Sequence, residues 1–166
     1  MTEEISYFRN NSDVNIRVLY HFIKAFGVES ALELGVQDAE STCTMLAALG
    51  TNPLWSVDTS ETANLKEYIS SKYPDADWTF IRADDKVLSW NTKIDLLFVD
   101  TSHSEEHTRI ELEKYGTYAR KVIVLHDAMG CSGVKAATDE YARNQQLPVF
   151  YDKRRHGLAI IVKEIS

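Results

Sequence analysis

Asp58, Asp84, Asp100 and Asp127 each close a short apolar run, in WSVD, FIRAD, IDLLFVD and VIVLHD. A carboxylate at the tip of a buried strand needs a partner, because burial without one is costly. Asp100 continues into Thr101-Ser102-His103, and Asp127 is preceded by His126. If the two runs are neighbouring strands, about 4.8 Å apart, Asp100 and Asp127 project into a common space. Two carboxylates there outline a hard-cation site, with His103 or His126 near enough to take a proton from a substrate hydroxyl. Upstream, ALELGVQDAEST reads as a buried strand carrying Glu33 that breaks at Gly35 and restarts as a helix at Ser41-Thr42. Asp58 follows Gly35 by 23 positions, the place where a second-strand acid commonly takes a ribose diol.

Each of these residues also has a plainer reading. Glu33 could cap or pair near its strand end, and Asp84 and Asp85 could N-cap a short helix that follows them. His103 could simply begin the helix at Ser104, and His126 could be hydrogen-bonded within the fold, which leaves Asp127 as the preferred ligand of that pair. The run Lys153-Arg154-Arg155-His156 reads as a solvated hairpin tip, or else as a clamp for an anionic substrate.

The elements that would position these side chains follow from hydrophobic periodicity. Strands are expected at 30–34, 54–57, 78–81, 94–99, 121–125, 148–151 and 158–162, and helices at 42–49, 60–72, 104–118 and 134–144. Their alternation implies a parallel sheet covered on both faces, wound right-handed in both directions from its middle. The last two strands are joined only by DKRRHG, too short for a crossover helix, and so form an antiparallel hairpin. An amphipathic helix over 13–26 precedes the first strand. In such sheets ligands sit outside the carboxyl ends of the strands, where the strand order reverses.

The bulk properties agree with one domain over residues 1–166, with 1–29 as a helical extension and 30–166 as the core. With 44% hydrophobic residues the chain can bury a core without disulfides or structural metal. A formal charge of -7 disfavours nucleic acid and anionic membrane as partners. The two cysteines lack Cys-x-x-Cys spacing, which argues against a zinc ribbon and fits a reducing compartment, with Cys43 a helix-packing residue. MTEEISYFRNNSD contains no apolar run of signal or membrane length, so a cytoplasmic location is expected.

Taken together, ALELGVQDAEST, WSVDTS, IRADD, IDLLFVDTSHSEEHTRIELEKY, VIVLHD, GVKAATDEYARN and GLAIIVK resemble a class I S-adenosylmethionine-dependent methyltransferase. The resemblance is to the branch that includes sugar and macrolide O-methyltransferases and cephalosporin-hydroxylase-like proteins. It implies a Rossmann-like, doubly wound seven-stranded sheet. It also implies that Glu33, Gly35 and Ser41 lie at the methionine end of the cofactor, Asp58 at the ribose and Asp84 near the adenine. Asp100, His126 and Asp127 fall on the positions that hold magnesium. The chain departs from the family twice: Ala39 stands at the second glycine, and Asp100-Thr101-Ser102 stands where Asp-Gly-Asp is common. The first departure adds only a methyl group, which negative φ at Ala39 would accommodate; the second removes a carboxylate that could act as general base.

The leading expectation is methyl transfer from S-adenosylmethionine to an oxygen of a small hydroxylated molecule such as a sugar, with Asp100 and His103 catalytic and Mg²⁺ assisting. The alternative is a binding domain that keeps the fold without turnover, which Ala39, Ser102 and the little material left for a substrate lid would favour. A lid could come from another subunit in a homo-oligomer. A nicotinamide-dependent oxidoreductase is disfavoured because no Gly-x-Gly-x-x-Gly follows the first strand.

Overall fold

The computed structural model describes residues 14–163. Seven strands form one sheet: β1 (Ala31–Leu34), β2 (Leu54–Asp58), β3 (Trp78–Arg82), β4 (Ile94–Val99), β5 (Ala119–His126), β6 (Val149–Asp152) and β7 (Leu158–Val162). Their order is β3-β2-β1-β4-β5-β7-β6, so the reversal falls between β1 and β4. Every pairing from β3 to β5 is parallel; β7 inserts antiparallel between β5 and β6. The hairpin expected from the short DKRRHG link is therefore present, and among the described strands β7 alone runs against the rest of the sheet.

Helices cover both faces. On one, α1 (Val14–Ala25), α2 (Glu40–Leu49) and α3 (Leu65–Lys72) bury Leu19, Ile23, Met45, Leu46, Leu65 and Ile69 against Ala31, Leu96, Phe98 and Val124. On the other, α4 (Glu105–Tyr115) and α5 (Ser132–Asn144) bury Leu112, Tyr115, Val134 and Ala137 against Leu32, Leu34, Leu97 and Ile123. The odd and even positions of β1, and of β4 from Leu96 to Val99, divide between the two clusters, as the two-residue period of a strand requires. All six residues of β4 are buried, so the apolar run IDLLFV is the centre of the sheet.

The boundaries depart from expectation where polar side chains serve the backbone. The helix expected over 60–72 begins only at Leu65, because the 60–64 stretch is held out as a loop: Thr62 Oγ1 donates to the Gln37 carbonyl at 2.6 Å, and Asn64 stands at φ 60° before the helix. β5 begins at Ala119 rather than 121, where Arg120 and Lys121 pair with Asp95, buried inside β4, at 2.7 and 3.6 Å. Part of the helix expected over 13–26 lies outside the described residues, namely Asp13.

Candidate active site

The turn after β1 is fixed from three sides. Gly35 N–H donates to the Val57 carbonyl at 2.9 Å, and Asp100 N–H donates to Leu34 at 2.8 Å, so β2 and β4 grip its two ends. Gly35 takes φ 88°, and a Cβ there would lie 1.9 Å from the Asp100 carbonyl oxygen. Glycine is required here by the backbone of β4 itself. Gln37 and Ala39 also take positive φ, 45° and 61°. The negative φ expected at Ala39 is thus not what the turn adopts: Ala39 occupies the left-handed conformation that a glycine would take more easily, with its methyl buried in the core.

Asp58, at the end of β2, lies beside this turn. Its Oδ2 accepts from the N–H groups of Val36 and Gln37 at 2.9 and 3.2 Å, and its Oδ1 accepts from Ser60 N–H at 3.0 Å. Burial pushes this carboxyl up, but the backbone donors of Ser60, Val36 and Gln37 outweigh it and hold it below the usual carboxylate range. Glu33 is different in kind. It is fully buried, and it accepts from Ser41 Oγ at 2.6 Å, Thr42 Oγ1 at 2.8 Å and Ser56 Oγ at 2.5 Å. Trp78 Nε1 donates to the same Ser56 hydroxyl at 3.0 Å. Burial raises Glu33 to about 7 despite these hydroxyls. Glu33 and Ser41, both expected at the methionine end, meet each other beneath the turn and tie β1 to α2 and β2.

Asp84 and Asp85 follow β3. Asp84 Oδ1 accepts from Lys86 N–H at 2.9 Å, but a turn over 85–87 follows in place of the short helix that Asp84 and Asp85 could have capped. Asp85 is buried and meets His107 Nε2 at 2.8 Å. That histidine is N-terminal by one turn to Glu111, which is fully buried and accepts from Thr101 Oγ1 at 2.7 Å. Burial and the adjacent Asp85 carboxyl push Glu111 up to about 9. This trio was missed in the sequence; the i, i+4 spacing of His107 and Glu111 was the available signal.

The ends of β4 and β5 do converge, as their strand positions implied. The pairing of Val99 with Leu125 brings Asp100, His126 and Asp127 together, with one donor atom from each inside a 4.8 Å group. His103 Nε2 stands between the two carboxylates, 2.9 Å from Asp100 Oδ1 and 3.2 Å from Asp127 Oδ2. His126 Nδ1 lies 3.5 Å from a carboxylate oxygen of each. Burial pushes Asp100 up, and hydrogen bonds and charge from His126 and then His103 more than reverse it, leaving the carboxyl below its ordinary range. His103 and Asp127 take φ 56° and 58°, conformations that non-glycine residues hold only when the surroundings over-determine them. The β6–β7 hairpin supports this side: Met129 and Gly130 N–H groups both donate to the His156 carbonyl, and His156 Nδ1 approaches Asp127 Oδ1 to 3.4 Å. Arg154 in the hairpin tip is bound to Asp152 at 2.6 Å.

A glycine turn at the switch point of the sheet and paired acids at the ends of β4 and β5 are the features that the family resemblance implied. The model for the methyltransferase domain family matches residues 32–128, from β1 to the residue after Asp127. The chain belongs to this methyltransferase family. No curated protein matches it in sequence, but solved structures share its fold at low identity. The O-methyltransferase from Bacillus cereus, in complex with S-adenosylhomocysteine, is 14% identical with a TM-score of 0.71, covering 93% of this chain and 83% of that one. The S-adenosylhomocysteine-bound methyltransferase from Podospora anserina is 11% identical with a TM-score of 0.74, covering 93% and 80%. A methyltransferase from Geobacter sulfurreducens is 13% identical with a TM-score of 0.73, covering 97% and 86%. The chain thus has the class I S-adenosylmethionine-dependent methyltransferase fold, with the seven-stranded order described above. Among the described residues, no helix is long and apolar enough to cross a membrane.

Proposed function

We propose that this protein transfers the methyl group of S-adenosylmethionine to a hydroxyl oxygen of a small molecule, a sugar or a comparable hydroxylated metabolite. The observation that carries the reading is the convergence of Asp100, His103, His126 and Asp127 at the switch-point end of the sheet. The cofactor fits across the ends of β1 to β3. There the Gly35 turn would face the methionine portion, Asp58 the ribose and Asp84 the adenine, with Glu33 and Ser41 supporting the turn from below. The reaction is an in-line displacement at a sulfonium methyl, so the protein's task is to align two reactants and remove one proton.

The carboxylates also fit a divalent cation. Asp127 Oδ1 is buried without a hydrogen bond, and Asp100 supplies a second ionised oxygen donor close by. Magnesium prefers oxygen donors, so Asp100 and Asp127 would hold it, with His126 alongside. Bound there, it would supply positive charge that lowers the proton affinity of the acceptor hydroxyl. His103, hydrogen-bonded to Asp100, is the group placed to accept the hydroxyl proton. The net charge of -7 favours a small-molecule acceptor over nucleic acid or an anionic membrane, and a cytoplasmic location remains part of this reading.

A non-catalytic S-adenosylmethionine-binding role is the second reading. What favours it is the position of His103 Nε2, which bridges the two carboxylates in the space a cation would take. Calorimetric titration with S-adenosylhomocysteine, with and without magnesium, followed by turnover assays on hydroxyl acceptors, tests both. Cofactor binding with turnover supports the enzyme, binding without turnover supports the second reading, and absence of binding overturns both.

A further inference from the structure

A second group of ligating side chains lies away from the paired acids, between the loop after β3 and the face of α4. His107 and Glu111 are one helical turn apart and so share a face of α4. Asp85 reaches them from the β3 loop, and one donor atom from each of the three falls inside a 4.8 Å group. His107 Nε2 is 2.8 and 3.0 Å from the two Asp85 oxygens and 3.7 Å from Glu111 Oε1. Donors about 2.1 Å from a tetrahedral ion stand about 3.4 Å apart, a value these separations bracket. Glu111 is fully buried, and while its Oε1 takes the Thr101 hydroxyl, its Oε2 has no hydrogen-bond partner. A buried carboxylate oxygen without a partner is costly; in the metal-free protein a proton shared with the adjacent Asp85 carboxyl meets that need, and a cation would take the proton's place.

We propose that Asp85, His107 and Glu111 form a site for a borderline divalent cation of the zinc class. One imidazole nitrogen and two carboxylate oxygens suit zinc, manganese or cobalt better than magnesium, which favours oxygen alone. Three protein donors leave one position for water. The ion would staple the β3 loop to α4 and, through Thr101, brace the turn that carries Asp100. The site is independent of the reaction proposed above and does not require turnover.

The test uses the full chain stripped of metal with chelator and titrated with zinc chloride, followed by calorimetry and thermal melts, with cobalt absorption as a spectroscopic check. Because Asp100, His103, Asp127 and Cys131 could also take zinc, the decisive protein is the Asp100→Asn, Asp127→Asn double variant. It is expected to retain one equivalent of zinc and a raised melting temperature. Adding Glu111→Gln, a neutral side chain of the same shape that can still accept from Thr101, should weaken this binding at least tenfold while the metal-free protein stays folded. His107→Gln should do the same. A wild-type protein that takes up no zinc, a double variant that has lost it, or a Glu111→Gln chain that binds as tightly as its parent would each overturn the proposal.

Discussion

The side chain that Gly35 lacks would point straight at the carbonyl oxygen of Asp100, with 1.9 Å between Cβ and oxygen. The turn after β1 and the end of β4 therefore touch backbone to backbone, so the glycine turn and the loop that carries Asp100 share one contact. Gly35→Ala must displace the Asp100 peptide and hold φ 88° with a Cβ. It should cost on the order of 3–5 kcal/mol through overpacking and strain. Urea melts would measure this, and any folded fraction should bind S-adenosylhomocysteine poorly and respond weakly to divalent ions. A variant as stable as wild type would show that β4 can give way at this point.

This contact also shows what could be read from the sequence. The strand runs, the reversal implied by β-α alternation, the closing hairpin and the acids at strand ends all follow from local pattern, and they survive in the structure. Asp100 and Asp127 meet because adjacent buried strands end together, which a one-dimensional pattern can convey. The roles of Glu33, Ser41 and Ala39 could not be read this way. Glu33 faces inward because its place in β1 directs it toward α2, and only the folded turn shows Ser41, Thr42 and Ser56 surrounding it. The φ of Ala39 is set by the tight entry into α2 rather than by its own preference. The Asp85, His107 and Glu111 group joins a loop to a helix across 22 and 26 positions of chain; the spacing of His107 and Glu111 puts those two on one helix face, but nothing local brings Asp85 to them.

Glu33 gives the protein a pH dependence of stability opposite to that of a salt-bridged acid. Its carboxyl is raised in the fold from 4.5 to about 7, so its contribution is fully present below about 4.5 and is lost as pH rises toward 7. The loss amounts to about 3.5 kcal/mol, at about 1.4 kcal/mol per pKa unit. Glu33→Gln should remove this component, so the stability difference between variant and wild type should shift in the variant's favour from pH 4.5 to pH 7. Urea melts of both proteins across that range check it; a constant difference would mean that Glu33 titrates in the fold as it does in the unfolded chain. Glu33→Ala, which strands three buried hydroxyls, should instead destabilise at every pH by about 1–3 kcal/mol.

At the paired acids, Mg²⁺, Mn²⁺ or Ca²⁺ should raise the melting temperature of the wild-type protein, since a ligand bound only by the folded state stabilises it. Asp100→Asn should abolish the magnesium response. Among the described residues the ion pairs at Asp100 and Asp127 are all made by histidines, not by lysine or arginine. The His103 ring is a third exposed, so losing its pair should cost the metal-free protein no more than about 1 kcal/mol. Thermal melts with chelator and with magnesium separate the outcomes. No magnesium shift in wild type, together with a clearly destabilised variant, would mark the group as a closed histidine–carboxylate network.

Asp58 joins the turn and the proposed ribose contact in one side chain, and two substitutions separate these roles. Asp58→Ala removes the acceptor for the Val36, Gln37 and Ser60 N–H groups as well as the proposed hydrogen bonds to the ribose diol. Affinity for S-adenosylhomocysteine should fall by about 1.5–3 kcal/mol, the usual worth of hydrogen bonds to a charged group, with a smaller loss of stability because those N–H groups are near water. Asp58→Asn keeps an oxygen that can accept from Val36 and Gln37 and gives up the Ser60 N–H, so the turn and most of the stability should be retained. It removes the negative charge and leaves one acceptor where two were available to a diol, so affinity should fall between wild type and Asp58→Ala. If Asp58→Asn binds as wild type while Asp58→Ala is weak, Asp58 acts by shaping the turn alone. If both bind as tightly as wild type in calorimetry, the ribose lies elsewhere on the sheet edge.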